Sequence, residues 1–266
     1  ALTANTTGHS NTALGSEALD ANTTARYNTA IGYASLGANT TGEENTAVGR
    51  QALITNTTGA YNVAMGVNSL YNNNGNYNTA LGNGCLSSNT TASNNTAVGA
   101  NAADALTTGD LNVAMGVNAL GSAQTADRNV AIGKDALAAF TATGDTYNVA
   151  IGFNAMGSST TGSQNAAVGG GAMGSNTTGG SNTALGYFAL TSNTTASDNT
   201  AVGKSALYAN TTGANNTAVG SQALDTVTTA NNNTAVGYIA LGANTSGTQN
   251  TAVGAYAADS HTTGNY

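Results

Sequence analysis

The sequence predicts an all-β protein, a parallel β-solenoid (β-roll-like) of about fifteen 17-residue coils. Three observations carry that reading. The motif Asn-Thr-Ala-Val-Gly, or a close variant, opens at residues 11, 28, 45, 62, 78, 95, 112, 129, 148, 165, 182, 199, 216, 233 and 250. The copies differ in a patterned way, so each repeat position reports what it tolerates. Glycine occurs 35 times and proline never, and only 6% of residues are charged, which is not the composition of an ordinary enzyme.

The repeat reads N-T-A-V-G-x-x-A-L-x-x-N-T-T-G-x-x and fills residues 1–266, so a single repeat domain is expected. Its intervals depart from 17 only between Asn62 and Asn78 (16) and between Asn129 and Asn148 (19), which marks the segment before the motif Asn as a loop. Positions 1, 3 and 5 are always Asn, Ala and Gly. Position 2 is Thr, Val or once Ala, and position 4 is always Val, Leu, Ile or Met, a short β-strand pattern. The position 4 ladder Leu14, Ile31, Val48, Met65, Leu81 and Val98 is expected in the core, with Leu19, Leu36 and Leu53 of position 9. Gly15, Gly32, Gly49 and Gly66 of position 5 are expected to turn the chain with positive φ. Position 8 is always small, and every charged residue except Asp145 falls at positions 6, 7, 10, 16 or 17, which read as solvent-facing.

One such unit cannot fold alone. Ordering each residue costs about 1–2 kcal/mol, whereas burying a Val or Leu contributes only about 1.5–3 kcal/mol. Stacked in register, the units form parallel sheets. A helical solenoid conflicts with the glycine content, the Asn-Thr-Thr tracts and the shortness of the segments. If position 4 fills the coil, position 3 points away from it. Ala13, Ala30, Ala47 and Ala64 are then predicted inter-chain contacts, because an invariant small residue on an outer face implies close packing against an identical chain.

The stretches "GAYNVAMGVNSL" and "DRNVAIGKDAL" resemble the head repeats of YadA-type trimeric autotransporter adhesins. That resemblance implies a left-handed parallel β-roll, three chains packed along a fibre axis, and small Ala side chains near the interface. The family repeat is nearer 14 residues, and the extra segment here is "NTTG". The longer form "NTALGYFALTSNTTASDNTAVGKSALYANTTGANNTAVG" is also similar to the shaft repeats of phage tail-fibre proteins. Both resemblances imply a homotrimer or filament that is extracellular, on a cell surface or on a virion.

Other chemistry finds little support. With five Lys plus Arg against twelve Asp plus Glu and a net charge of −7, nucleic acid is not expected as a partner. No apolar run approaches the roughly 20 residues of a membrane span. His9 and His261 lie too far apart for a shared metal, and Asp259, Ser260 and His261 are adjacent in sequence without triad context. "VGGGAMG", at residues 168–174, lacks the lysine of a phosphate loop. Asp20, Asp104, Asp225 and Asp259 share position 10 but mostly lie several coils apart, and Cys85 in a small-residue slot reads as packing. No catalytic residue, cofactor or metal is expected. Asn5, Asn22, Asn39, Asn56, Asn89, Asn176, Asn193, Asn210 and Asn244 stand in Asn-x-Ser/Thr sequons, possible glycan sites or else a ladder of stacked amides.

The function predicted is the structural shaft of a fibre supporting adhesion or host attachment, with a cell-surface or glycan receptor as partner. The alternative is an ice-binding or carbohydrate-binding solenoid. Adjacent Thr residues at positions 13 and 14 give one outward column, not the two that a flat ice-binding face needs. Tyr33, Tyr187, Tyr208 and Tyr238 in exposed slots suit sugar contact. The chain enters at position 8 and stops at position 17 without a capping segment, which predicts an excerpt of a longer chain or filament.

Overall fold

The computed structural model describes residues 1–265; Tyr266 lies outside them. Every element is a three-residue strand and no helix occurs among the described residues. The strands are β1 (Thr12–Leu14), β2 (Thr29–Ile31), β3 (Thr46–Val48), β4 (Val63–Met65), β5 (Thr79–Leu81), β6 (Thr96–Val98), β7 (Val113–Met115), β8 (Thr125–Asp127) and β9 (Val130–Ile132). They continue as β10 (Thr143–Asp145), β11 (Val149–Ile151), β12 (Ala166–Val168), β13 (Thr183–Leu185), β14 (Thr200–Val202), β15 (Thr217–Val219), β16 (Thr234–Val236) and β17 (Thr251–Val253).

The chain divides into two compact units, each a parallel β-solenoid. Ala1–Asn129 with Thr143–Asp145 carries β1 to β7 in sequence order, and Val130–Ala142 with Thr146–Tyr266 carries β9 and β11 to β17. Each repeat position pairs with the same position of the next rung: Thr12 with Thr29, Ala13 with Ala30 and Leu14 with Ile31, and Thr46 with Val63, Ala47 with Ala64 and Val48 with Met65. Register therefore follows directly from the repeat. The two irregular intervals are absorbed between strands, as expected, although the 129–148 interval is not wholly loop. It holds β10, which pairs in parallel with β8 through Thr143 and Thr125.

Each strand is short because its flanks forbid continuation. Gly49 has φ 135°, and a Cβ there would lie 2.5 Å from the carbonyl oxygen of Gly66 in the next rung, so only glycine fits. Gly15, Gly32 and Gly66 have φ of 132°, 130° and 136° and meet the same carbonyl wall. A feature absent from the sequence reading is the left-handed backbone of non-glycine residues. Leu19, Leu36 and Leu53 have φ of 51°, 50° and 53°, a conformation that costs about 1–2 kcal/mol each. All three side chains are completely buried, which offsets that cost by about 1.5–3 kcal/mol apiece.

The core is lined by position 9 as predicted, but the strand is turned over relative to the prediction. Ala30, Ala47 and Ala64 are fully buried inside their own coil and Ala13, in the first rung, is half-buried; they are not outer contacts. Leu14, Met65 and Leu81 are exposed, and Ile31, Val48 and Val98 half-buried, on the outer face. The reason is volume. A 17-residue ring already holds a Leu and, in most rungs, two Asn side chains, and close packing leaves room for no more than a methyl group at position 3. The larger aliphatics are therefore placed outside.

Candidate functional site

Two asparagine columns form the polar part of the core. Asn62, at position 1, donates from its backbone N and from Nδ2 to Oδ1 of Asn45, both at 3.0 Å, and from Nδ2 to the carbonyl of Gly75 at 2.9 Å. Its own Oδ1 accepts the backbone N of Asn78 at 2.9 Å. Both ends of the amide are used, so neither Asp, which lacks the donor, nor Ser, which lacks the reach, can replace it. This explains Asn at all fifteen copies of position 1.

The second column is position 12. Asn39 Nδ2 donates to Asn22 Oδ1 at 3.2 Å and to the carbonyl of Gly42 at 2.9 Å, and Asn56 Nδ2 donates in turn to Asn39 Oδ1 at 3.0 Å. Asn22, Asn39, Asn56, Asn89, Asn176, Asn193, Asn210 and Asn244 are all completely buried; only Asn5, in the first rung, is partly open. A glycan cannot sit on a side chain enclosed in the core. The sequons are therefore amide-ladder positions, and the glycan reading of these eight residues is corrected accordingly.

Outside, positions 2 and 4 form two parallel columns on one sheet face: Thr or Val beside Leu, Ile, Val or Met. In the first unit Met65 is 43% exposed, and in the second Leu185 is 48% exposed. Val219 and Val236 of the second unit are exposed as well. Single exposed aliphatics are ordinary, but an in-register file of them is not. Alternation along the strand puts positions 1 and 3 on one side and 2 and 4 on the other, and burial shows that the Asn and Ala side is the inner one. The Thr column at position 13 is spent internally, as Thr40 Oγ1 donates to the carbonyl of Thr57 at 3.0 Å and Thr177 Oγ1 to that of Thr194 at 2.9 Å.

The other candidates stay apart. His9 packs edge-on against Tyr27 with centroids 5.7 Å apart, while the ring of His261 meets the carbonyl of Gly264 at 2.8 Å. Ser260 Oγ lies 3.3 Å from Asp259 Oδ1, a contact between sequence neighbours. No group of three or more metal-binding side chains occurs among the described residues, and among them no helix is long and apolar enough to cross a membrane. Cys85 is buried in its small-residue slot, and burial pushes its thiol up to about 12. Partial burial also raises Asp104 and Asp225 above the ordinary carboxyl value. Tyr33, Tyr187, Tyr208 and Tyr238 are all exposed, and the hydrogen bond from Tyr33 to Glu17 raises the Tyr33 phenol. No family model, curated protein or solved structure matches the chain.

Proposed function

We propose that the chain is a structural fibre element, and that identical chains pack lengthwise through the outward Thr-and-aliphatic sheet face. The observation that carries this reading is the file of Leu, Ile, Val and Met side chains left at the surface of each unit. Covering such a file removes apolar area from water at roughly 25 cal/mol per Å², and an in-register column is self-complementary to its symmetry copy. The partner is therefore another copy of the chain, and the number three is taken from the trimeric fibres that the repeats resemble. Repetition is then the function: more rungs make a longer shaft, which projects an attachment point for a cell surface from an extracellular or virion fibre. The chain's role is mechanical, without catalysis.

The test is the solution mass by sedimentation at several concentrations, for the natural chain and for Met65→Lys with Leu185→Lys. The expected result is a concentration-independent trimer that the lysines dissociate into folded monomers. A natural chain that is a stable monomer rejects the reading.

One geometric fact favours a second reading. Outward residues two apart on an extended strand are separated by about 6.6 Å, and rungs by about 4.8 Å, so the face is a regular two-column array of Thr and aliphatic methyl groups. That arrangement suits ordered water, as on ice. A monomeric chain that shapes ice crystals and depresses their growth temperature selects this reading over the shaft.

A further inference from the structure

In the unit Val130–Ala142 with Thr146–Tyr266, position 6 of five successive rungs reads Lys134, Phe153, Gly170, Tyr187, Lys204. Backbone bonds fix that order. Asn154 N donates to the carbonyl of Lys134 at 3.0 Å, Gly171 N to that of Phe153 at 2.9 Å, Phe188 N to that of Gly170 at 3.0 Å, and Ser205 N to that of Tyr187 at 3.0 Å. With rungs about 4.8 Å apart, Phe153 and Tyr187 leave the backbone about 10 Å from each other, with a bare glycine between them.

The glycines are there for the rings. A Cβ at Gly171 would lie 2.4 Å from the Phe188 ring, and one at Gly170 would lie 3.4 Å from the Tyr187 ring. Tyr187 and Phe188 thus lie against glycine backbone, their centroids 4.1 Å apart, with Tyr208 edge-on to Phe188 at 6.4 Å. The result is a step of aromatic surface that remains wet: Phe153 is 61% exposed and Tyr187 54%. Lys134 Nζ sits 5.7 Å from the Phe153 centroid, and Lys204 is exposed with no ion pair among the described residues.

We infer that this step binds an acidic oligosaccharide, a chain of uronate-type sugars. The apolar C–H face of a pyranose lies flat on an aromatic face while its hydroxyls stay in water, which is what exposed rings bedded on glycine offer. Charge complementarity selects the acid. The chain has five Lys plus Arg and a net charge of −7, yet two of the five close this column at its two ends, where they meet sugar carboxylates. Lys134 also contacts Asp135 at 3.2 Å, so Lys204 supplies the larger share of that attraction. Position 6 follows the Gly corner after the outward strand face, and the inference stands whether or not that face self-associates.

The test is titration calorimetry with oligogalacturonate, its fully methyl-esterified form and oligothymidylate as probes, beside sedimentation to read oligomeric state separately. The expected result is binding of oligogalacturonate that weakens at least about tenfold in Tyr187→Ala. Weakening of about threefold to tenfold is expected in Lys204→Gln, with the methyl ester, and at about 0.5 M salt. Tyr238→Ala, at position 6 of another rung and also exposed, should bind unchanged. All of these substitutions are at exposed side chains, so the fold survives them. Absence of millimolar binding, equal binding of the methyl ester, binding unchanged in Tyr187→Ala, or preference for oligothymidylate would each overturn the inference, whatever mass sedimentation gives.

Discussion

Oδ1 of Asn210 is buried without a hydrogen-bond donor, because the next rung places Val227 where the ladder elsewhere places Asn. One rung earlier the ladder is intact, with Asn210 Nδ2 donating to Asn193 Oδ1 at 3.2 Å. Asn89 repeats the defect, its Oδ1 unsatisfied where Leu106 follows. Val227→Asn would give Asn210 its missing donor and Asn244 an acceptor, at the loss of one buried aliphatic. We expect stability within about 1 kcal/mol of the natural chain. Asn193→Val, by contrast, takes the donor from Asn176 Oδ1, now 2.8 Å away, and should cost about 1–3 kcal/mol. Urea denaturation of the two variants measures the contrast, and equal losses would refute the ladder account.

Gly49→Ala sets a methyl group against the Gly66 carbonyl at a backbone angle that L-residues avoid. A loss of more than about 1 kcal/mol is expected from conformation alone, with the clash added to it. Gly37, without positive φ and with its nearest contact at 3.2 Å, provides the comparison: Gly37→Ala should be distinctly milder by the same denaturation.

Ala47 and Val48 are adjacent, yet they test opposite surfaces. Ala47→Val overfills a closed coil and should lower stability by about 1–3 kcal/mol. Val48→Thr changes an outward, half-buried side chain, so folding should barely respond. Thermal unfolding at one protein concentration separates the two. If Val48→Thr proves the more damaging, the inside-out assignment of the strand is wrong.

Asp104 and Asp225 have folded pKa values raised by burial. The protonated form is therefore favoured on folding. These groups contribute stability that is fully present below the ordinary carboxyl value and is lost as pH rises through the raised folded value. Asp104→Asn with Asp225→Asn should raise stability at neutral pH and flatten the profile across that window. A double variant less stable than the natural chain at neutral pH would contradict this.

The thiol of Cys85 extends the argument to high pH. Its value rises from 9.0 to about 12, so its contribution is held below pH 9 and lost as pH climbs toward 12. Disulfide-exchange reagents at mild pH should modify Cys85 only after unfolding, since burial disfavours the reactive thiolate. Rapid labelling of the native chain would contradict the buried slot.

The repeat alone determined the solenoid, its in-register pairing and the role of Gly15 and its equivalents, because similar strands stacked at a near-constant interval have one register that sets each repeat position on its own copy. It also placed Leu19, Leu36 and Leu53 in the core. Which face of the strand turns inward was decided only by the tertiary structure. Sequence alternation separates Ala47 from Val48 but does not say which side is inside. That choice depends on how much space a closed coil encloses, and two Asn columns with one Leu column leave room for Ala. The same enclosure decides between the two sequence readings of Asn22, Asn39 and Asn56, which are buried ladder rungs and not glycan sites. Volume and hydrogen-bond satisfaction inside the ring are properties of the closed coil, and they sent the Leu, Ile, Val and Met column to the surface.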